Sequence, residues 1–265
     1  LLDLAKAHTN RGAVLSQMNR WQEAKQAHEQ ALKVLSTTRD MRMYAATHCN
    51  LSDVCRHLGD LEAALRLAEE SLKLAVALDL HFEEALAHLN LGEALLESGQ
   101  PRQARTEHLE TAQRMLDERG ITYLRPEVER GVAETLLQEG ELEQAERSAR
   151  KAITQAEALQ SGSDEGIGLR VLAAIQRAQG LVSDAEGTLQ RGIELLRLSG
   201  PKFELAQADL EMARLVLGDP ARQEQAGFVL KEARSIFEEA GAQLALRAVD
   251  ALEAQLAASR GNQRS

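Results

Sequence analysis

The chain has 265 residues, of which 44% are hydrophobic but only 3% aromatic, and its net charge is -10. An acidic chain without a basic stripe excludes direct binding to nucleic acid, because contacts to phosphates require clustered lysine and arginine. No apolar run approaches the roughly 20 residues that span a bilayer, which excludes membrane insertion.

Alanine and leucine must supply the core, because there are few large rings to fill it. Only four prolines occur, and no segment is rich in the β-branched and aromatic residues of strands. The composition therefore predicts an all-α protein. Cys49 and Cys55 are too few for a disulfide framework, so we expect free thiols and a cytoplasmic location. The chain starts with Leu1 in the middle of a helical pattern, which predicts a fragment of a longer protein and, as a fragment, a monomer.

The sequence repeats itself every 40 residues. The strings AHTNRG at Ala7, THCNLS at Thr47 and AHLNLG at Ala87 share one register. Three series of small residues follow that register: Gly12, Ser52, Gly92, Ala133 and Ala173; then Asn19, Gly59, Gly99, Gly140 and Gly180; then Ala24, Ala64, Ala104, Ala145 and Ala185. This pattern predicts a repeat architecture.

Each unit reads as a hairpin of two helices. The first helix ends at a glycine or asparagine, which tolerates the left-handed conformation of a helix stop, and the second begins about two residues later. The first and third series allow the two helices to approach closely. The predicted repeats in chain order are 1–38, 39–78, 79–119, 120–159, 160–199 and 200–240, followed by a capping helix at 243–259.

The irregular segments fit this order. Pro101, Pro126 and Pro201 fall where helices begin. Pro220 lies in a turn of a looser sixth repeat, whose second helix carries Ala226, Leu230 and Ala233. The string GSDEGIG from Gly162 lacks the lysine of a phosphate-binding loop, and we interpret it as a long, mobile connection between repeats.

These offsets resemble the tetratricopeptide repeat family, in particular its lengthened repeats of about 40 residues. Such repeats occur in kinesin light chains, in spindle-orientation adaptors, and in the sensor regions of bacterial signalling ATPases and transcription activators. The resemblance implies a right-handed superhelical solenoid of stacked antiparallel hairpins, about six here. It also implies that the first helices line a concave groove for peptides or partner helices.

Asn10, Asn50 and Asn90 lie two residues before the small residue in three consecutive repeats. In similar lengthened repeats, matching asparagines hold the backbone of a bound peptide, a role that suits the donor and acceptor of a carboxamide. The alternative is that they form hydrogen bonds with a neighbouring helix end or simply repeat by descent. Charged residues are expected to line the same groove: Asp53, Glu93, Glu97 and Glu134 as anions, and Arg56, Arg130 and Arg170 as cations.

No metal, cofactor or catalytic site is predicted. His8, His48 and His88 recur in register, but equivalent positions on packed helices lie about 8–10 Å apart, too far to share one ion. His81, Glu84 and His88 fall on one helical face, yet a fourth ligand is missing. We expect packing or surface roles for all of these residues.

The resulting functional prediction is a non-enzymatic scaffold that binds a protein or peptide in its groove. We expect it to be the docking or sensor segment of a larger bacterial regulatory protein. The alternative is a sensor of a small effector or signalling peptide that controls an attached catalytic or DNA-binding domain.

Overall fold

The computed structural model describes residues 1–262, and within that range the chain is helical with no strand. This confirms the predicted all-α class of stacked helix hairpins. The chain divides into two compact units, one from Leu1 to Glu141 and one that begins at Leu142. The division falls inside the fourth predicted repeat. Residues 263–265, which belong to the predicted 1–265 solenoid, lie outside the described residues.

The first unit contains three helix hairpins and one further first helix. The helices are α1 (Leu2–Gln17), α2 (Trp21–Leu35), α3 (Met41–His57), α4 (Leu61–Ala77), α5 (His81–Glu97), α6 (Pro101–Gln103), α7 (Glu110–Arg119) and α8 (Arg125–Glu139). A π-helical segment at Ala104–Leu109 joins α6 to α7, so that the three together form the second helix of the third hairpin. The sequence pattern did not predict this segment.

The second unit begins with a second helix and continues in hairpins. Its helices are α9 (Leu142–Ala158), α10 (Gly162–Ala178), α11 (Val182–Ser199), α12 (Lys202–Val216), a 3₁₀ turn at Pro220–Arg222, α13 (Gln223–Ala240) and α14 (Gln243–Asn262). The predicted capping helix is confirmed as α14. Ala226, Leu230 and Ala233 of α13 are fully buried, as expected for the sixth repeat.

Five hairpin turns have the predicted left-handed residue. Positive φ angles between 57° and 83° occur at all five predicted positions: Asn19, Gly59, Gly99, Gly140 and Gly180. At the second turn, the N–H of Gly59 donates to the carbonyl of Arg56 at 2.8 Å, and the N–H of Asp60 donates to Cys55 at 2.9 Å. Asp60 then caps α4 by accepting from the N–H of Ala63. This three-residue connection brings α3 and α4 together.

The small residues serve close helix packing. The five alanines of the third series are 0% exposed. A Cβ atom added to Gly92 would lie 2.6 Å from the side chain of Leu109, so α5 and the π-helical segment touch there without room for a methyl group.

The prolines lie at helix starts, as predicted. Pro101 and Pro126 fall in the first turns of their helices. Pro201 immediately precedes α12, and Pro220 begins the 3₁₀ turn. Cys49 and Cys55 are buried free thiols. None of the described helices is long and apolar enough to cross a membrane.

The prediction of a mobile connection at GSDEGIG is wrong. Residue Gly162 begins α10, because the hydroxyl of Ser161 accepts from the N–H of Asp164 and caps the helix. Gly166 and Gly168 lie inside that helix, where a Cβ atom would come within 2.7 Å of Leu196 and 2.9 Å of Ile153. These glycines serve helix packing rather than chain mobility.

Candidate functional site

The first helices of the first unit form one layer. Helix α1 contacts α3, α3 contacts α5, and α5 contacts α8. Charged residues line this layer, and we call their surface the first-helix face: Asp53, Arg56, Glu93, Glu97, Glu127, Arg130 and Glu134. The sequence predicted all of them except Glu127.

Arg56 on α3 binds carboxylates from two helices. Its Nη2 lies 2.7 Å from Oδ1 of Asp53 on its own helix and 3.1 Å from Oε2 of Glu93 on α5. Its Nη1 lies 2.6 Å from Oε1 of Glu97, also on α5. The guanidinium group thus joins two successive first helices.

Arg130 on α8 extends the network by one more helix. Its Nη2 lies 2.9 Å from Oε1 of Glu93 and 3.6 Å from Oε1 of Glu127, and its Nη1 lies 3.5 Å from Oε2 of Glu134. The Glu93 side chain is only 7% exposed and carries one arginine on each oxygen. It is the buried centre that connects α3, α5 and α8.

Solvent reaches four of the five carboxylates of this face, all except Glu93, more than it reaches the guanidinium groups. The side chains of Arg56 and Arg130 are 12% and 18% exposed. Those of Asp53, Glu97 and Glu127 are 38%, 32% and 41% exposed. The face has five carboxylates and two arginines, and both guanidinium groups lie beneath the more exposed carboxylates. The surface presented to a ligand is therefore acidic rather than the mixed surface that the sequence predicted.

The protonation of Glu127 reflects this excess of negative charge. Burial and the neighbouring Glu93 carboxylate raise the pKa of Glu127 to about 7, although Arg130 opposes the shift. Because 41% of its side chain remains exposed, solvent reaches this carboxylate from one side while protein surrounds it on the others. Burial likewise raises the pKa of Glu97. A nearby cation would favour the charged form of both groups.

An aromatic stack lies beside the network. The rings of Trp21 on α2 and His57 on α3 are parallel, with centroids 4.3 Å apart. Nη2 of Arg56 lies 3.1 Å from Nε2 of His57. Burial, followed by the charge of Arg56, lowers the pKa of His57 to about 3, so the imidazole is neutral at pH 7. The stack braces Arg56 without adding a charge. Nothing in the sequence pattern pointed to this pair.

The three predicted asparagines differ in their surroundings. Asn10 is exposed and Asn50 is partly buried. Asn90 is 5% exposed, and its Nδ2 donates to the carbonyl of Cys49 on α3 at 2.8 Å. Asn90 therefore binds a neighbouring helix, although in the middle of that helix rather than at its end as in the alternative interpretation. A ligand-binding role for Asn10 and Asn50 stays a prediction.

The second unit holds a separate ion-pair group. Arg170, the remaining predicted cation, is partly buried on α10 and has interactions of its own. In the same unit, Glu211 on α12 is only 3% exposed in its side chain and binds Arg177 at 2.6 Å and Arg214 at 2.8 Å. This buried carboxylate was not predicted. Glu211 is in register with Asn10, Asn50 and Asn90, and nothing in the sequence pattern pointed to a buried carboxylate at this position.

The histidines do not converge on one point. His48 is buried and lies 3.0 Å from the carbonyl of Tyr44. His88 pairs with His108, with 3.0 Å between their Nδ1 atoms, whereas His81 lies 3.8 Å from Glu84. Within the described residues, no group of three or more histidine, cysteine, aspartate or glutamate side chains could hold a metal ion.

Comparison with known proteins agrees with this architecture. Residues 42–118 match the family model for the tetratricopeptide repeat. No curated protein matches the chain by sequence.

Three solved structures share the fold. A Rap protein complexed with Competence and Sporulation Factor is 16% identical with a TM-score of 0.72, over 94% of this chain and 75% of that one. A Rap conjugation gene regulator of plasmid pLS20, in complex with the Phr* peptide, is 15% identical with a TM-score of 0.72, over 94% and 73%. A signal transduction ATPase with a tetratricopeptide repeat sensor, from Pyrococcus horikoshii, is 16% identical with a TM-score of 0.63, over 96% and 40%.

Proposed function

Because the chain carries tetratricopeptide repeats and folds as stacked helix hairpins, we propose that it is an interaction scaffold that binds a basic peptide or helix on the first-helix face of its first unit. Repeats of this type generally serve as binding surfaces rather than as catalysts. From the predicted groove residues we keep those of the first unit that are not bound elsewhere, with Glu127 added: Asn10, Asn50, Asp53, Arg56, Glu93, Glu97, Glu127, Arg130 and Glu134. Asn90 is left out because it is bound to Cys49, and Arg170 because it belongs to the second unit.

The observation that carries the proposal is the arrangement of charge on this face. Arg56 and Arg130 are covered and already bound to carboxylates, so they offer little to an acidic ligand. Asp53, Glu97 and Glu127 keep open surface. A lysine or arginine side chain of a ligand would relieve the repulsion among these carboxylates, and the complementary charge would also speed association.

Asn50 supports backbone recognition at the same place. It lies three residues before Asp53 on α3, so the two side chains share one side of the helix. A carboxamide beside a carboxylate could bind a peptide bond and the adjacent cationic side chain together. Replacing Asn50 by alanine should then weaken binding without changing the charge of the face. Equal affinity of the Asn50→Ala variant would remove this residue from the site.

A charge-reversal experiment tests the acidic face. The probe is a fluorescein-labelled helical peptide of lysine and alanine, with a glutamate–alanine peptide as its counterpart. We expect the double variant Glu97→Lys with Glu127→Lys to lose at least about tenfold in affinity for the lysine peptide, because it removes two ion pairs and adds two repulsive ones. The matched control reverses Glu62 and Glu107, which are exposed on second helices.

The control separates local recognition from net charge. Both double variants change the charge of the protein by the same amount, so the control should retain the lysine peptide within about twofold. Equal losses in the two variants would contradict a site on the first-helix face. Preference of the unmodified chain for the glutamate peptide would contradict a basic ligand.

We further propose that this binding serves a bacterial regulator of which the chain is the docking or sensor segment. The support is the fold shared with a conjugation gene regulator bound to a peptide and with the repeat sensor of a signal transduction ATPase. Control of an attached domain can be tested by expressing the chain with and without its neighbouring coding sequence. The output to measure is the activity of the attached domain when the lysine peptide is present. Unchanged output would contradict the sensor role.

A small effector is the second candidate, and a cleft favours it. A cleft of about 390 Å³ lies over α3 between α2 and α4, with Cys55 among its lining residues. Its polar side chains include Lys25 and Arg66 as cations and Glu29 and Asp60 as anions. This pairing of signs suits a zwitterion such as a free amino acid.

Thermal unfolding with each of the common amino acids tests the cleft. A ligand at one hundred times its Kd should stabilise the chain by about 2.7 kcal/mol. The variant Ala63→Met, which fills the cleft from its rim, should abolish the shift. Absence of any shift, or a shift that Ala63→Met leaves intact, would contradict this function.

A further inference from the structure

The cleft over α3 contains a histidine with one ring nitrogen unused. His48 lines the cleft and is 8% exposed. Its Nδ1 lies 3.0 Å from the carbonyl oxygen of Tyr44, one turn earlier on α3. Its Nε2 makes no hydrogen bond with any of the described residues, and the surrounding protein does not enclose that atom fully. Polar atoms of buried side chains normally have a partner, and here the cleft is the place from which one can come.

The position of the proton on this ring follows from its contact. A carbonyl oxygen only accepts hydrogen bonds, so Nδ1 must carry the proton that it donates to Tyr44. Burial lowers the pKa of His48 below its ordinary value of 6.5, so the ring is neutral at pH 7. In a neutral imidazole the other nitrogen is an acceptor. His48 therefore offers the lone pair of Nε2 to the cleft and requires a donor.

The next repeat shows how such a ring is satisfied within the protein. The equivalent His88 has a partner on the second helix of its hairpin, because Nδ1 of His108 lies 3.0 Å from its own Nδ1. The position equivalent to His108 is Ala68, which has no polar side-chain atom. The Tyr44 ring meets His48 edge-on, with centroids 4.4 Å apart, and so fixes its orientation. The second repeat thus leaves open an interaction that the third repeat makes internally.

The rest of the cleft combines apolar lining with charges of both signs. Glu29 on α2 and Arg66 on α4 lie on opposite sides, are exposed, and make no ion pair with the described residues. The apolar lining is formed by Leu32, Leu51 and Leu67. The two charges suit the ammonium and carboxylate groups of an amino acid, and the leucines suit an apolar side chain. The donor that His48 requires must then lie on that side chain.

We propose that the cleft binds an aromatic amino acid whose side chain carries a hydrogen-bond donor, tryptophan or tyrosine, and that His48 recognises this donor through Nε2. An indole N–H or a phenol O–H combines a large apolar surface with one donor, which matches the leucines and the single acceptor. Lysine and arginine end in a charge, whereas serine and threonine offer little apolar surface. This specificity rests on the small-effector function proposed for the cleft and adds the residue that determines it.

Matched ligand pairs test the donor by calorimetric titration of the complete chain. L-Tryptophan is compared with 3-benzothienyl-L-alanine, in which sulfur replaces the indole N–H, and L-tyrosine is compared with L-phenylalanine. We expect at least one of the two donor ligands to bind at least about fivefold more tightly than its counterpart. The reason is that the counterpart would leave Nε2 of His48 covered without a hydrogen bond.

Two variants show whether His48 recognises the donor. His48→Leu provides an apolar side chain of similar size and should reduce the preference to within about twofold, whereas His48→Gln offers a carbonyl oxygen and should retain part of it. His88→Leu is the matched control, because it lies at the equivalent position outside the cleft and should keep the full preference. A histidine that only packs would change the affinity for both members of a pair equally.

The outcomes separate this specificity from the function of the cleft. Equal binding within both pairs, an undiminished preference in His48→Leu, or an equal loss in His88→Leu would overturn the role of His48 and leave the cleft as an effector site. Binding of none of the four ligands, while another amino acid gives a thermal shift that Ala63→Met removes, would overturn the choice of ligand alone. If no amino acid binds, both the specificity and the small-effector function are wrong.

Discussion

The contact between Gly12 and His28 predicts that Gly12→Ala lowers the stability of the unmodified chain but raises the stability of a His28→Ala variant. His28 on α2 is 0% exposed, and its ring lies against Gly12 in the middle of α1. A Cβ atom added at Gly12 would lie 2.5 Å from Cε1 and 2.6 Å from Nε2 of that ring, far inside the optimal separation of about 3.5–4.0 Å. The ring cannot move outward, because it is fully enclosed. Gly12→Ala must therefore push α1 and α2 apart.

The expected magnitude combines two opposing effects. Overpacking a core costs about 1–3 kcal/mol, whereas alanine in place of glycine inside a helix stabilises by about 1 kcal/mol. Gly12→Ala should thus lower the free energy of unfolding by up to about 2 kcal/mol. With His28→Ala as the background, the ring is absent and the same substitution should stabilise by about 1 kcal/mol.

The assay is urea denaturation of the four proteins of this double-mutant cycle. The single tryptophan, Trp21, lies at the start of α2, so its fluorescence reports the hairpin that contains both residues. The coupling between the two substitutions should amount to about 1–3 kcal/mol. If Gly12→Ala destabilises equally in both backgrounds, close approach to the ring is not the reason for glycine at this position.

Three further predictions concern charge and backbone conformation. Glu211→Gln should destabilise the second unit by about 1 kcal/mol in chemical denaturation, because Arg177 and Arg214 would lose a charged partner while about a third of each arginine side chain stays in solvent; a change no larger than that of an exposed glutamate variant would contradict this. Because its pKa is raised, Glu127 holds its proton more tightly in the folded chain than in the unfolded chain. The stability that this proton contributes is complete below the ordinary pKa of 4.5 and is lost as the pH rises to about 7. Glu127→Gln should flatten that part of the stability curve, and carboxyl NMR titration of the unmodified chain should show the raised pKa; an unshifted titration would refute it. Gln160 has a φ of 55°, a left-handed conformation that favours glycine. Gln160→Gly should therefore raise the stability by about 0.5–1 kcal/mol in thermal unfolding. A loss of stability would show that the side chain of Gln160 matters more than its backbone conformation.

The fold was largely accessible from the sequence because the repeat constrains the same positions several times. Five left-handed turn residues and five buried alanines were identified from spacing alone, and each has a steric reason to be small. The exception was GSDEGIG, where glycine was read as a mark of chain mobility. Composition alone does not separate a glycine that allows a turn from one that allows another helix to approach, as Gly168 allows Ile153 to do.

The site was accessible in part. Register placed Asp53, Glu93 and Glu134 in one layer, because equivalent positions of stacked hairpins face the same side. It could not show which charges reach solvent, since that depends on side-chain packing between helices. Glu127 was missed because it lies outside the repeated positions, and its character comes from the proximity of Glu93 on another helix.

The pairing within the first-helix face also determines what a ligand must offer. An acidic peptide would have to displace Asp53 or Glu97 from Arg56 and leave that carboxylate without its partner, so each new ion pair would replace one that already exists. A basic peptide displaces nothing. It adds a cation next to carboxylates that outnumber their arginines, and it opposes the burial and the repulsion by Glu93 that raise the pKa of Glu127. Proton release from Glu127 should therefore accompany the binding of a basic ligand, and the affinity should rise with pH between about 5 and 8.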